Sequence, residues 1–496
     1  MRPNVNIPLT LSYDTRGVAS YTAQQAGKDQ RRVNCHYEIT RTAVDAQPDV
    51  ALAKRPGVTN DGNTYGAGTQ VQYLVARDPA STWNPTAWAL VKDSTANKAV
   101  TSATATTILT SADYYPRFWD VTDVSGTNFL VVQLQNSTSP SATPAQRVYY
   151  SSAIATFTEI TDADFTGLSH RGKMEFMDGY AFIMDSRNRI YQSDINSLSA
   201  WTSANYISMS STTAPAQGII KCRSLILGCT TDYIEAFRNE GNATGSVLSR
   251  VPSSEHRIGL GAVAGGGSTM AGKTNYYVTI GDLVFFIGRY AGSQYDASLV
   301  AFDGSRYEKV SKPYEDTLLS STPIYSINRV SFGGKVAVAV QFTDPTQTTQ
   351  KSWWFFPDIN EGFEVESTVF GPVNNGYHYA GATNPQKLYY FGSSDNWQDD
   401  GTNFTMTVQF KLPVNDLSWK TMAACGVIAD TTSAASNLAV SFSDDDFQNF
   451  STARNIDLNT KLKELKRCGM FRERVVKMTS TDSKEVRLRR FYASVL

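Results

Sequence analysis

Apolar and polar positions alternate in short bursts along this chain, and the bursts come in pairs. The clearest pair is DGYAFIMDSRNRIYQSD, Asp178 to Asp194. An apolar run, Tyr180 to Met184, meets a turn of Asp, Ser, Arg and Asn, and a second run, Ile190 to Gln192, follows. Runs of this length, bounded by turn residues, predict a β-hairpin. The same couplet is predicted at Val71–Val75 with Trp88–Val91 and at Phe129–Leu134 with Arg147–Tyr150. It returns at Ser224–Leu227 with Tyr233–Phe237, Leu283–Ile287 with Leu299–Phe302, and Val336–Phe342 with Trp353–Phe356. A last copy is Tyr377–Ala380 with Leu388–Phe391. Six or seven copies at a mean period of about 50 residues fit propeller blades, each burying its faces against its neighbours. The expected fold class is all-β: a β-propeller of about six blades plus a β-sandwich-like platform domain.

The pattern changes at two places. Residues 1–60 look extended and end in the turn signal KRPGVT, Lys54 to Thr59; they are read as a segment contributing to the platform. The propeller is placed at 61–400. After Gly401 a new set of alternating strands begins with NFTMTVQFKLPV and ends in VRLRRFYASV, one face apolar and the other basic, which makes 401–496 the C-terminal platform domain. Two segments, Lys92 to Ala112 and Asn136 to Ala145, are dense in Thr, Ala, Ser or Pro and read as blade-to-blade loops or surface insertions. Leu458 to Lys466 is the best helix signal, a short helical piece or a loop.

Composition narrows the function classes. Charged residues are 18% of the 496, and Lys plus Arg (45) nearly balance Asp plus Glu (46), so no global field draws in nucleic acid or membrane. The exception is Lys461 to Arg490, with eleven basic residues against four acidic. Within it and next to it, Arg467, Arg472, Arg474, Lys477, Arg487, Arg489 and Arg490 are the candidate interface residues, for an acidic protein surface in preference to phosphate. Five cysteines at wide spacing, with no CxxC pair, read as buried free thiols and not as a metal or redox site. No secretory leader follows Met1 and no apolar run is long enough to span a bilayer, so neither export by a signal nor a membrane partner is expected.

Several stretches promise chemistry. GSTMAGKT, Gly267 to Thr274, fits the phosphate-binding loop pattern letter for letter, but strand-like NYYVTIGDLVFFIG follows where a helix should start. GLGAVA, Gly259 to Ala264, matches a loose dinucleotide fingerprint without a βαβ unit and reads as an inter-blade loop. The four histidines, His36, His170, His256 and His378, form no metal-ligand spacing. Asp399–Asp400 and Asp444–Asp446 lie in turns, where Asp bonds its own backbone. FSDDDFQNF and SDINSLSAW (Ser193 to Trp201) loosely resemble the Asp-box hairpin of sialidase-like propellers. WWFF, Trp353 to Phe356, must have both faces covered if it is a strand. No catalytic, cofactor-binding or metal site is assigned, and the chain is expected to be a scaffold and not an enzyme.

The order of these pieces resembles the packaged-DNA stabilisation proteins of short-tailed bacteriophages, also called tail hub or nozzle proteins. The stretches that carry the resemblance are RPGVT (Arg55 to Thr59), DGYAFIMDSRNRIYQSDINSLSAW (Asp178 to Trp201) and RSLILGCTTDYIEAFRNEGNATG (Arg223 to Gly245). LVFFIGR, LVAFDGSRYEKVS and SFSDDDFQNF…MFRERVVKM follow in the same order. The resemblance implies a propeller with a platform domain, assembled as a homo-oligomeric ring, a homo-hexamer in most of the family. It implies a virion protein assembled in the bacterial host cytoplasm, docked on the tail adaptor ring and through it the portal. Such a ring closes the tail channel, retains DNA, docks fibres or spikes and passes double-stranded DNA non-specifically through its lumen during ejection. The family pattern carries no active-site residue and no cofactor. The alternative reading is a glycan-binding or sialidase-like propeller of a host-recognition protein.

Overall fold

The computed structural model describes residues 4–8, 31–40, 49–60, 62, 70–76, 87–92, 96–100, 105–111, 113–136, 146–153, 156–210, 214–260, 276–290, 297–322, 324, 326–342, 349–369, 373–374, 378–380, 388–391, 396–412, 418–432, 435–445 and 447–496. The chain is all-β apart from two short helices among these residues, Ala163–Thr166 and Pro313–Ser321. It divides into two compact units: Asp61–Gln350 with Val369–Tyr389, and Met1–Asn60 with Lys351–Thr368 and Tyr390–Leu496.

The larger unit is a β-propeller. Its strands pair in sequence order into successive antiparallel sheets. The first four sheets have four strands each. They are Gln70–Ala76 through Ala105–Thr110, Tyr114–Val124 through Thr158–Glu159, His170–Met177 through Trp201–Ser208, and Ala216–Cys222 through Leu248–Arg250. The fifth joins Ile258–Leu260 and Tyr277–Ile280 to Leu283–Tyr290, Ser298–Phe302 and Tyr307–Lys309. The sixth contributes Ser326–Phe332 and Lys335–Gln341 to this unit, and the seventh Val373–Asn374, His378–Ala380 and the first two residues of Leu388–Phe391. Each sheet packs on the next, and Val373–Asn374 and His378–Ala380 lie against Gln70–Ala76, so the series closes on itself. The cycle among the described residues has seven sheets, the upper of the two counts the couplets allow.

The couplets are mostly apolar, without strict alternation, because each blade is covered on both sides. In the third blade Ala181 and Ile183 face Val131 and Val148 of the second. Phe182 and Met184, one residue out of step, face Ile219, Ile226 and Phe237 of the fourth. In the fourth, Leu227 and Cys229 turn toward Val284, Phe286 and Val300 of the fifth. All these side chains are buried.

Three expectations change. Lys92 to Ala112 is not a loop: it holds Ala96–Val100 and Ala105–Thr110, the outer strands of the first blade. Its Thr and Ala residues satisfy a pleated surface as well as a loop, and composition did not separate the two. Of the two readings of Leu458 to Lys466, a helical piece or a loop, the loop holds over 458–463 and leads into the strand Glu464–Lys466, which neither reading included. Gly259, read as part of a loop, sits in the buried strand Ile258–Leu260, where a Cβ would overlap the Thr231 carbonyl oxygen. The helix Pro313–Ser321 carried a legible signal that was missed: Pro at its first position and Glu315, whose carboxylate accepts from the Lys312 N–H at 2.7 Å.

The smaller unit is a β-sandwich-like platform. One sheet combines Asn4–Pro8, Cys35–Thr40, Asp49–Lys54, Arg487–Val495, Lys420–Ala429, Glu464–Lys466 and Met470–Phe471. The other runs Glu361–Ser367, Arg31–Val33, Met406–Lys411, Val475–Ser480, Asn437–Ser443 and Arg454–Asp457. The Phe410 and Phe491 rings meet edge to face between them at 5.1 Å. Segments 351–368 and 390–400, placed in the propeller by the boundary at 400, belong to this unit. The buried pair Arg32–Glu361 (2.8 Å) and the Asn34 N–H on the Glu364 carbonyl (2.9 Å) hold the first of them there.

Candidate functional sites

Two clusters of charged side chains stand out, and each is built by strand pairing. In the propeller, strands of the second, third and fifth blades bring together residues far apart in sequence. Lys173 extends its ammonium to Asp120 of the preceding blade at 2.7 Å and to Glu175 at 3.6 Å. The Tyr277 hydroxyl, from the fifth blade, donates to Glu175 at 2.5 Å. Its neighbour Tyr276 accepts from the Lys173 backbone N–H at 3.1 Å and donates to the Ile219 carbonyl. Burial pushes the Glu175 carboxyl up to about 7, against the opposing pull of Lys173, and also holds the Tyr277 hydroxyl far above its ordinary value. A cleft of about 320 Å³ opens beside this cluster, lined by Asp120, Asp123, Glu175, Asp178, Tyr180 and Lys221 among others. The arrangement puts two carboxyl groups on the same cleft, Asp120 and Glu175, the second raised to about 7 by burial. Sequence reading missed it, because the groups come from three separate sheets.

In the platform the seven candidate interface residues do not form one basic face. Arg474 is buried and grips Asp444 with two bonds, Nε to Oδ1 at 2.6 Å and Nη2 to Oδ2 at 2.7 Å, while its guanidinium covers the Phe442 and Phe471 rings. Arg487 pairs with Glu38 and Glu485, and Arg489 with Asp430 at 3.0 Å. Lys477 is half-buried over the Phe450 ring. Arg467, Arg472 and Arg490 are exposed. Arg472 lies over the Trp419 ring, 4.8 Å from its centroid.

The remaining motifs resolve into architecture where they are described. Asp399 accepts two bonds from the buried Arg55, and Asp400 accepts from Asn60 at 2.6 Å. Asp445 ties its own hairpin, accepting from Ser443, the Asn449 N–H and the Asn449 amide. Trp201, in the other Asp-box-like turn, is buried and donates to the Leu198 carbonyl at 3.0 Å. Trp353 to Phe356 are all buried. His170 is buried with Nε2 3.0 Å from the Phe165 carbonyl, and burial lowers it to about 4. All five cysteines are buried and unpaired by disulfides, with Cys425 and Cys468 sulfurs 3.6 Å apart. Gly267 to Thr274, Gly261 to Ala264 and the His378 side chain lie outside the described residues. No group of three or more potential metal ligands occurs among the described residues, and no helix there is long and apolar enough to cross a membrane.

No protein-family model and no curated protein matches the chain. Solved structures align with it at 9% identity. An exo-β-1,3-galactanase from Phanerochaete chrysosporium with galactose covers 88% of this chain and 100% of its own, with a TM-score of 0.28. A chain of a mitotic checkpoint complex covers 71% and 95%, with a TM-score of 0.37. A glycoside hydrolase covers 75% and 96%, with a TM-score of 0.25. The expectation of a chain that is not an enzyme is corrected here: chains that align over most of its length include hydrolases, so repeated sheets by themselves do not set it apart from catalysts.

Proposed function

We propose that this chain is a structural subunit of a short phage tail, forming the hub or nozzle ring below the portal and adaptor. In this role it narrows the channel over packaged DNA, docks fibres or spikes and passes the genome during ejection. The reading rests on the order of the stretches that resemble that family, and one observation supports it most. Arg55, in RPGVT, is the residue that binds Asp399 and so joins the two ends of the platform. The stretch that carries the resemblance thus sits at the joint of the second of the two units such proteins combine. Electron microscopy of the purified protein tests the proposal: closed rings with a central channel are expected, six-fold in the family pattern. A uniformly monomeric particle at micromolar concentration sinks it.

A second reading is a propeller that binds or cleaves glycans. The observation that favours it is the cleft holding Asp120 and Glu175, the latter raised to about 7 by burial, since two carboxyl groups are what glycosidic bond cleavage uses. A glycan array with turnover assays on acidic and neutral oligosaccharides, run on the wild type and Glu175→Gln, tests it. No binding and no turnover in the wild type removes this reading and leaves the ring untouched.

A further inference from the structure

One face of the platform carries an apolar and cationic row whose side chains are more than half exposed at Trp419, Met470 and Leu496. Thr421 pairs with Met470, and Thr421 and Leu496 exchange both backbone hydrogen bonds, at 2.8 and 2.9 Å. Residues directly opposite in antiparallel strands share a face, so Met470, Thr421 and Leu496 form one row across three strands. Trp419, two residues before Thr421, projects from the same face, and Arg472 lies over it. The other face of these strands is buried, with Met422, Phe471 and Val495 in the core. On the outer face Trp419 is 60% exposed, Met470 59% and Leu496 57%. Apolar side chains this open are scattered singly on ordinary surfaces. Here three share one face, Met470 and Leu496 flanking Thr421 with Arg472 over Trp419, and Trp, Met and Arg are the residues enriched where proteins meet.

The charges beside the row point to the occupant. Lys466 pairs with Ala424 and the Arg467 N–H binds the Ala423 carbonyl, so both bases border the row, and both are exposed. Among the described residues beside the row, the Glu464 carboxylate accepts from the Tyr492 hydroxyl at 3.4 Å and Glu473 is engaged by Lys411 at 2.9 Å. The exposed charges of Arg472, Arg467 and Lys466 therefore make this rim cationic. A nucleic-acid backbone would complement the cations and leave the Trp, Met and Leu side chains uncovered. A carboxylate-rich protein surface with an apolar centre complements both.

We propose that the Trp419–Met470–Leu496 row, with Arg472, Arg467 and Lys466 around it, is a docking surface for an acidic protein partner that inserts an aromatic or aliphatic side chain against Trp419. The surface replaces Arg474, Arg487 and Arg489 as the contact, since those three are engaged within the unit. The inference stands independently of the tail-hub reading. The test uses the full chain and a fluorescein-labelled random copolymer of glutamate and tyrosine, with polyglutamate of matched length and a short DNA duplex as alternatives. Anisotropy titrations should show the copolymer bound more tightly than polyglutamate. The combined Trp419→Ala and Arg472→Ala variant should lose roughly tenfold or more in affinity, the effect of removing one well-packed anchor. Ile195→Ala, which truncates an equally exposed side chain of the propeller, should leave binding unchanged. Thermal unfolding of the variants at the wild-type temperature confirms that the surface change is local. Equal affinity of the double variant overturns the proposal. So does DNA that displaces the copolymer and depends on Trp419, or sedimentation showing that the wild type self-associates through this face and the variant does not.

Discussion

Arg55 and Asp399, 344 residues apart in sequence, form a bidentate ion pair in the platform core, Nη1 to Oδ1 at 2.8 Å and Nη2 to Oδ2 at 2.6 Å. The arginine is fully buried, its Nε donates to Asn34, and its guanidinium lies 3.8 Å from the centroid of the Phe404 ring. The Ser367 hydroxyl donates to the same carboxylate at 2.8 Å. One side chain thereby ties Asn34, from an earlier segment, to the later segment that carries Asp399 and Phe404.

Removing one partner of such a pair leaves the other charged and buried. Arg55→Ala is expected to destabilise the platform by about 3–5 kcal/mol. Urea unfolding followed by tryptophan fluorescence reads this as a lowered midpoint. A change below about 1 kcal/mol would place the pair among ordinary surface bridges.

The packing of blades three and four depends on two glycines. A Cβ on Gly172, at φ +73°, would lie 2.5 Å from the Gly218 Cα and 2.9 Å from the Tyr276 hydroxyl. Gly172→Ala combines a strained backbone with an overlap that no rotamer relieves, and a loss of about 1–3 kcal/mol is expected. Tyr276→Phe removes only the hydroxyl bridge to Lys173 and Ile219 and should cost about 1 kcal/mol. The order of the two melting temperatures checks the assignment.

Glu175 gives stability a pH dependence whose sign is fixed. Its folded value, about 7, lies above the ordinary value of 4.5, so the folded state holds the proton more tightly. The group's contribution is fully present below about 4.5 and is lost as pH rises through 7. Glu175→Gln keeps the neutral form at every pH. The variant is expected to gain on the wild type by about 2 kcal/mol between pH 5 and 8. The groups facing it, Asp120, Lys173, Tyr277 and Lys221, remain in both proteins, so the difference between the two pH profiles isolates it. Parallel profiles would refute the assignment.

The basic residues of the last strands should separate into two classes. Arg474→Ala leaves Asp444 unpaired and opens the Phe442 and Phe471 rings, and a loss of about 1–2 kcal/mol is expected because Asp444 is partly exposed. Arg490→Ala, on an exposed position, should stay within about 0.5 kcal/mol. Equal destabilisation by the two would contradict the sorting.

Cys35, Cys222 and Cys229 should be silent to a water-soluble disulfide reagent in the native protein and react on unfolding, whereas Cys468, lowered to about 7 by its contact with Cys425, should react first. Burial pushes Cys35 up to about 12 and Cys222 up to about 11, so neither supplies thiolate at neutral pH.

The sequence alone determined the element type and its rhythm. Couplets such as Tyr180–Met184 with Ile190–Gln192 are local: a hairpin is specified by its own apolar runs and turn. The repetition of two-faced apolar strands then leaves stacking against neighbours as the way to bury them. Tertiary structure decided what lies opposite what. Arg55 meets Asp399, and Lys173 meets Asp120 and sits beside Glu175 and Tyr277, because strands from separate blades or from both chain ends are brought together by packing. Neither pairing leaves a spacing in the sequence. The same reason explains the basic C-terminal strands. Alternation showed which arginines share a face, but the carboxylates that neutralise Arg474, Arg487 and Arg489 come from other strands and turns of the platform. The exposed Trp419 row was hidden for the converse reason: an apolar residue in a strand reads as core until the fold shows that nothing covers it.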